Sequence, residues 1–242
     1  MHASENKPPL FYPDRLGHSV VLVGAGGIGS ILLPLLVKCG PRRITIWDDD
    51  TVEPVNLAQQ GFDAEDIGEL KVRALAHRAG AINPDLEIRA VHERRFTQDD
   101  LLDGVVVAGV DSMKSRRAIF SAVRRQADRV PLFIDGRLSR KFNEYLVVYF
   151  IDPSSREEVE LYESTFFDDS EVEKVPRPEK LSAHTPILLA GFIGAGLARW
   201  IGDGRHPWKV TCDAVSMHVE SYWIGKTRER EDNELARSGT GT

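Results

Sequence analysis

Cysteine is scarce in this chain of 242 residues, and so are long apolar runs. Its two cysteines, Cys39 and Cys212, are too few and too far apart for a disulfide framework or a zinc site, so we expect no zinc and a reducing, cytoplasmic compartment. No apolar run reaches the roughly 20 residues of a membrane span, and the first residues lack the apolar core of a signal peptide. The closest run, 186–201, contains three glycines and Arg199, which predicts a buried helix rather than a membrane contact.

The charge of the chain does not favour a nucleic-acid partner. The net charge is −6, and the arginines are scattered rather than grouped into a basic stripe. Hydrophobic residues make up 42% of the chain and charged residues 28%, which is ordinary for a folded protein. The length fits one large α/β domain.

Short apolar runs alternate with amphipathic segments along most of the chain. Predicted strands lie at 19–23, 43–47, 86–91, 104–109, 132–135 and 143–151, with a strand-like segment at 209–224. Predicted helices lie at 30–38, 68–81, 98–102 and 112–126, and a late helix starts with Thr185 as N-cap and Pro186 in first position. This alternation predicts an α/β, Rossmann-like fold: a mainly parallel, doubly wound sheet with an antiparallel C-terminal extension.

We expect one domain over residues 1–242 with three segments that differ in character. Residues 1–14 form a polar, proline-rich arm, and residues 228–242 form a polar tail. Residues 152–181 are acidic, interrupted by proline and without clear periodicity, which predicts a long crossover-type loop that is mobile until a partner binds.

A glycine-rich turn, GAGGIGS, follows the first predicted strand and leads into a helix. Its glycines, Gly24, Gly26, Gly27 and Gly29, let phosphates approach the backbone at a helix N-terminus, although such glycines equally permit tight helix–sheet packing. Asp48 ends the next strand, where a carboxylate can accept hydrogen bonds from ribose hydroxyls. The two features together predict nucleotide binding, and a nicotinamide enzyme would use the same pair.

Three further segments decide against the nicotinamide alternative. DDDTVEPVNLAQQ at 48–60 resembles the D-x-D-x-V-x-x-x-N-L-x-R-Q segment of the ubiquitin-activating-type superfamily, typified by ThiF, MoeB and HesA. GELKV at 68–72 is similar to its G-x-x-K-V element, and VVAGVDSMKSR at 106–116 resembles its D-x-x-x-x-R segment. Order and spacing agree from about residue 19 to 150, and 185–200 is similar to the late helix of the family.

The resemblance implies binding of ATP and Mg²⁺ and adenylation of the C-terminal glycine carboxylate of a small ubiquitin-like or sulfur-carrier protein. By position, Gly27 approaches the phosphates, Asp48 holds the ribose, and Asn56 and Lys71 contact the phosphates. Asp111 matches the residue that holds Mg²⁺. The alternatives are a solvated helix lysine for Lys71 and a helix N-cap for Asp111.

Further matched positions bear on the predicted site. Asp50 is the second acid of the D-x-D pattern and Ser112 stands at the family's asparagine position, so both belong to the predicted nucleotide site. Arg116 matches the family arginine, or else lies on a solvated helix face. Gln59 stands where the family has a catalytic arginine, so catalysis is expected to be slow. Cys39 and Cys212 lie outside the segments where relatives carry a catalytic cysteine, so we expect no thioester intermediate.

Three arginines and a histidine are candidates for the missing positive charge or for a place near the site. Arg137 and Arg140 follow a strand end and are expected to be solvent-exposed unless they replace that charge, while Arg15 would have to come from a partner subunit. His184 precedes the late helix and is more simply a helix-start residue. We expect a homodimer, and the alternative function is a catalytically weak nucleotide-binding subunit that recruits a carrier or partner.

Overall fold

Eight strands and five helices form the part of the chain that the structure, a computed structural model, describes: residues 16–91, 94–138, 145–171 and 183–224. The strands are β1 (Val20–Val23), β2 (Arg43–Trp47), β3 (Glu87–Val91), β4 (Val105–Ala108), β5 (Phe133–Leu138), β6 (Tyr145–Ile151), β7 (Lys209–Asp213) and β8 (His218–Tyr222). The helices are α1 (Gly27–Lys38), α2 (Lys71–Ile82), α3 (Met113–Arg125), α4 (Arg156–Glu163) and α5 (His184–Asp203). The predicted arm at 1–14, the tail at 228–242, Arg15 and Arg140 lie outside the described residues.

All eight strands belong to one sheet, in the order β3-β2-β1-β4-β5-β6-β7-β8. The pairs among β1 to β5 are parallel, with Val20 opposite Ile44 on one side and Val105 on the other. The pairs β5–β6, β6–β7 and β7–β8 are antiparallel. The predicted fold class is therefore confirmed. Since the order reverses between β1 and β4, their carboxyl ends border a crevice where open α/β sheets bind ligands.

Both faces of the central parallel strands β1 and β4 are buried, because helices cover each side of the sheet. Val20 and Leu22 point into a core shared with α1, α2 and α5, while Val21 and Val23 point into a second core with α3 and α4. This alternation is the two-residue period of a strand. It explains why the strands are continuous apolar runs.

Helix α5 has the length and apolar composition of a membrane span, but seven of its residues are buried within this fold. Leu189 and Ile193 pack in the same core as α1, and a Cβ on Gly196 would lie 2.3 Å from the Phe150 ring. These contacts make α5 a core helix of the domain, as the glycine-rich sequence predicts.

Segment 152–181 differs from the prediction, because its first third contains helix α4. Ser155 caps the helix by accepting a hydrogen bond from the Glu158 amide, and Tyr162 is fully buried against Phe120 and Phe133. The expectation of a long loop is therefore wrong for this stretch, while its mobility stays a prediction.

Several predicted boundaries also need correction. Helix α1 begins at residue 27 instead of 30, and α2 begins at residue 71 instead of 68. Residues 98–102 form a turn rather than a helix, and 209–224 divide into the hairpin β7–β8. Helix α5 starts one residue before Thr185, which is buried in the first turn instead of capping the helix.

Candidate functional site

The glycines of the turn after β1 divide into two kinds. Gly24 has a φ of +99°, and a Cβ there would lie 2.7 Å from the Gly109 carbonyl oxygen. A Cβ on Gly29 would lie 2.0 Å from the Gly24 oxygen. These two glycines are required by packing between the turn, α1 and the end of β4. A Cβ on Gly26 would meet nothing within 4 Å, and Gly27 is also partly exposed, so a ligand can approach the backbone there.

Helix α1 begins directly at the open side of this turn, with Gly26 as its N-cap and no acidic residue in its first turn. The first N–H groups of a helix have no partner within the helix and carry partial positive charge, which suits a phosphate. Ser30 ties the turn to the following loop, because its hydroxyl donates to the Gly26 oxygen (2.6 Å) and accepts from the Gly61 amide (2.8 Å). That loop places the Gln59 carbonyl oxygen 3.7 Å from where a Cβ on Gly27 would stand.

Asp48 is held against the turn by backbone amides. One carboxylate oxygen accepts a hydrogen bond from the Ala25 N–H (2.6 Å), and the other accepts from the Asp50 N–H (2.9 Å). Burial raises the pKa of Asp48, and the two amides and nearby Lys71 offset this only in part. Sequence reasoning missed the bond to Ala25. A carboxylate has further lone pairs, so this contact leaves acceptor capacity for ribose hydroxyls.

Lys71 is buried at the start of α2, with its ammonium 2.9 Å from an Asp50 carboxylate oxygen. Its backbone amide also donates to the Asp50 carbonyl (3.0 Å). The alternative of a solvated helix lysine is therefore wrong. Asp50 is 57% exposed, so the pair sits at the border between the protein interior and the crevice.

Asn56 lies in a 3₁₀ turn, Pro54–Asn56, and its amide oxygen accepts from the Glu53 N–H (2.9 Å). The side chain is half-buried. Because the oxygen stabilises the turn, the phosphate contact predicted for Asn56 requires its amide nitrogen as the donor.

Asp111 follows β4 and is exposed on the other side of the glycine turn. Ser112, not Asp111, is the N-cap of α3: its hydroxyl accepts from the Ser115 amide (3.1 Å). The N-cap alternative for Asp111 is wrong. The first two N–H groups of α3 donate to the carboxylate of Asp169, at 2.7 and 2.9 Å, so the residues after α4 lie against this helix end.

Arg116 is buried in the core and not on a solvated face. Its guanidinium forms an ion pair with the fully buried Asp135 (3.0 Å) and donates to the carbonyls of Val110 and Gly136. It thereby connects the turn before Asp111 to the end of β5. We infer a structural role for Arg116 from these bonds.

Arg137 shares the same carboxylate, at 2.6 Å from the second oxygen of Asp135. Its guanidinium lies 4.6 Å from the Tyr149 ring centroid and 5.3 Å from that of Tyr162, whose hydroxyl donates to Asp135 (2.9 Å). The expected solvent exposure of Arg137 is wrong, since only 13% of its side chain is accessible. Sequence analysis overlooked Asp135, although an aspartate at the end of an apolar strand is the signal for such a buried charge.

The remaining candidates are His184 and the two cysteines. His184 is exposed at the start of α5. Cys39 caps the far end of α1, about 18 Å along a 12-residue helix from the turn. Cys212 is buried on β7, and burial raises the pKa of its thiol, which disfavours the reactive thiolate.

Comparison with known proteins identifies one family that matches most of the chain and related proteins that match parts of it. The sequence profile of the ThiF family matches residues 14–207. Ubiquitin-like modifier-activating enzyme 5 of Dictyostelium discoideum is 32% identical over 127 residues, which cover 46% of this chain and 33% of that protein. The enzyme of the same name in Drosophila ananassae is 33% identical over 96 residues, covering 40% and 24%. The chain thus spans about a third or less of these relatives.

Solved structures with the same fold cover more of the chain. The microcin C7 biosynthetic enzyme MccB in complex with N-formylated MccA superposes with a TM-score of 0.65 at 17% identity, over 90% of this chain and 68% of that one. E. coli MccB with ATP gives 0.63 at 17% identity, over 90% and 67%. PaaA gives 0.66 at 17% identity, over 88% and 66%. At these identities the likeness establishes the fold.

Proposed function

Because this chain belongs to the ThiF family, we propose that it is an ATP-dependent adenylyltransferase acting on the C-terminal glycine carboxylate of a small ubiquitin-like or sulfur-carrier protein. One observation carries the proposal: three groups suited to a nucleotide meet at the carboxyl edge of β1 and β2. They are the open helix start at Gly26 and Gly27, the carboxylate of Asp48 and the ammonium of Lys71.

The relatives support the choice of substrates. The curated matches are named for activating a ubiquitin-like modifier, and one of the solved structures contains ATP. The chain covers a third or less of those curated matches, so the proposal rests on the residues of this site rather than on the activity of the longer proteins.

In the proposed reaction an oxygen of the carrier carboxylate attacks the α-phosphorus of ATP in line, and pyrophosphate leaves. The product is a mixed anhydride of the carboxylate and AMP. Helix α1 and the amides of Gly26 and Gly27 bind phosphate oxygens, Asp48 accepts the ribose hydroxyls, and Lys71 stabilises charge that develops on the α-phosphate. Positioning and charge neutralisation supply the catalysis, as is usual in phosphoryl and nucleotidyl transfer.

Magnesium fits the oxygen ligands at this edge. Carboxylate oxygens of Asp48, Asp49 and Asp50 lie within 4.8 Å of one another, but Asp48 accepts two backbone amides and Asp50 pairs with Lys71. We assign the metal to Asp111 because it stands at the position of the family's Mg²⁺ residue and is exposed beside the glycine turn. Mg²⁺ prefers one or two carboxylates together with substrate phosphates, and when bound it neutralises phosphate charge.

We further propose that the reaction proceeds without a catalytic cysteine. The chain contains two cysteines, of which Cys212 is buried and Cys39 lies at the far end of α1 from the glycine turn. Direct transfer from the adenylate to an acceptor follows from this arrangement.

A second candidate function is favoured by Gln59. By the family resemblance, Gln59 stands where relatives carry a charged guanidinium, and its backbone carbonyl lies beside Gly27. A site with a neutral residue there is also suited to a subunit that binds a nucleotide and recruits a carrier or partner. The two functions differ in whether pyrophosphate is released.

ATP–pyrophosphate exchange with small proteins that end in Gly-Gly tests the proposal. We expect slow exchange that depends on the carrier, near-complete loss in Lys71→Ala and Asp111→Ala, and no change in the exposed control Lys38→Ala. Tighter binding of NAD than of ATP in calorimetry would overturn the nucleotide assignment. ATP binding without exchange, in both wild type and Gln59→Arg, would favour the recruiting subunit.

A further inference from the structure

The carboxyl edge of the sheet carries more negative than positive charge among the described residues. Asp48, Asp49, Asp50 and Asp111 lie there, and the buried cation Lys71 is already paired with Asp50. A polyphosphate adds further negative charge to this edge. Binding of the polyphosphate therefore requires an accessible cation. Arg137 does not provide one, because it is paired with Asp135 on the α3–α4 side of the sheet.

Arg95 is an accessible cation at this edge. It follows β3, its side chain is 79% exposed, and its Nε donates to an Asp49 carboxylate oxygen at 3.1 Å. The hydrogen bond and charge of Asp49 raise the pKa of Arg95, and the charges of Asp50 and Asp111 act in the same direction. Asp111 follows β4, on the far side of β2 and β1 from β3. One carboxylate oxygen from each of Asp48, Asp49 and Asp50 lies within 4.8 Å of the other two, so Arg95, as the partner of Asp49, stands beside these carboxylates at the strand ends.

The residues on either side of Arg95 are fixed. Arg94 lies over the Trp47 ring (5.2 Å) and pairs with Asp100, while Phe96 packs edge-on against the same ring (5.5 Å). Because both neighbours contact Trp47, the intervening Arg95 is presented from an anchored backbone. A solvated arginine on an anchored backbone loses little backbone entropy when a ligand binds.

We propose that Arg95 binds the polyphosphate of the nucleotide, exchanging the Asp49 carboxylate for phosphate oxygens. The inference deepens the proposed function and rests on it. Phosphate is favoured over adenine as the target because a guanidinium pairs with an anion and not with a neutral base, and because Asp49 lies within 4.8 Å of Asp50, the partner of Lys71, which we assign to phosphate. Arginine is well suited to this role, since its planar donors match phosphate oxygens in pairs. Arg95 would supply part of the positive charge that Gln59 lacks.

Calorimetric titration with Mg–ATP and with adenosine tests this. We expect Arg95→Met to weaken ATP binding about ten- to a hundredfold, the range for a hydrogen bond to a charged group, and to leave adenosine binding unchanged. Arg95→Lys should recover part of the loss. The matched control is Arg156→Met, which removes a 91% exposed arginine paired with Glu160 on α4 and should change neither ligand. Asp49→Asn should strengthen ATP binding up to about fivefold, because it removes a competing surface ion pair.

The possible results separate the two proposals. If wild type binds ATP and Arg95→Met binds it equally well, the inference fails while the proposed function stands. An equal loss for ATP and adenosine would mean that Arg95 acts on the nucleoside and not on the phosphates, which also overturns the inference. If wild type binds no ATP, both proposals fail.

Discussion

Replacing Asp48 with asparagine tests the assignment of the ribose contact. The carboxylate accepts two backbone amides in the described structure and has lone pairs left for the two ribose hydroxyls. In Asp48→Asn one oxygen becomes an NH₂ group, which cannot accept. We expect ATP binding to weaken by about 1.5–3 kcal/mol, the range for a hydrogen bond to a charged group, which is roughly ten- to 150-fold in Kd.

Stability should change less than binding in this variant. Asparagine loses one bond to Ala25 or Asp50, but it also removes a carboxylate whose pKa is raised by burial. Above that pKa the buried charge is a cost that the neutral amide does not carry. Urea unfolding should therefore show a smaller loss than calorimetry, and it also verifies that the variant is folded.

The decisive measurement is a thermodynamic cycle with 2′,3′-dideoxyATP, which lacks both hydroxyls. Wild type should bind it more weakly than ATP, whereas Asp48→Asn should distinguish the two nucleotides little. Asp213→Asn is the matched control, because Asp213 also accepts a backbone amide after a strand, at Val215 (3.0 Å), but on the β7–β8 hairpin. If wild type binds the two nucleotides equally, or the variant loses affinity for both to the same extent, Asp48 does not hold the ribose.

Four further predictions concern catalysis, assembly and stability. Gln59→Arg should raise the rate of pyrophosphate exchange by about one to two orders of magnitude, the difference between a charged and a neutral donor; an unchanged rate would contradict a role of position 59 in neutralising phosphate charge. The chain should be a homodimer, so a light-scattering mass near 27.0 kDa at micromolar concentration would contradict it. Arg116→Ala should lower the free energy of unfolding in urea by about 1.5–3 kcal/mol, the range for a hydrogen bond to a charged group, because the buried Asp135 keeps Arg137 as its second cation; a loss under about 1 kcal/mol would contradict the burial of the pair. The hydrogen bond from Arg94 holds the pKa of Asp100 below its usual value in the folded protein. Asp100 therefore stabilises the fold at a pH above its pKa in the unfolded chain, and this stabilisation is lost as the pH falls through its lower pKa in the folded protein. Asp100→Asn should thus be less stable than wild type at pH 6, with a gap that closes below about pH 4; a gap that widened in acid would contradict the assignment.

The sequence predicts those helices and strands whose signals lie in neighbouring residues of the chain. Strand β2 matches its predicted bounds because RITIW is an apolar run closed by Asp48 and preceded by Pro41. The parallel order could be expected from the alternation of strands and helices. The glycine turn and Asp48 were placed together because consecutive parallel strands end at the same edge of the sheet.

The errors have a common cause, which is a tertiary partner distant in sequence. The sequence does not reveal helix α4 because REEVELYE is acidic, and the partners of its Tyr162 are distant in sequence: the ring packs against Phe120 and Phe133, and the hydroxyl donates to Asp135 on β5. For Arg116 the sequence leaves a solvated helix face open as the alternative, because no local pattern shows that the same carboxylate lies beneath α3. Lys71 was left open for the same reason, since its partner Asp50 stands 21 residues earlier.

The contact between Gly24 and Gly109 bears on the order in which the chain folds. The two backbones are too close for any side chain, and the Gly109 amide donates to the Val23 carbonyl (2.8 Å). Residues 85 positions apart in the chain must therefore meet before the phosphate turn acquires its shape, and such non-local contacts are formed slowly because loop closure comes first. A fragment that ends after β3 would contain the whole glycine motif without the backbone that shapes it. Nucleotide affinity should then appear during refolding only after β4 has joined the sheet.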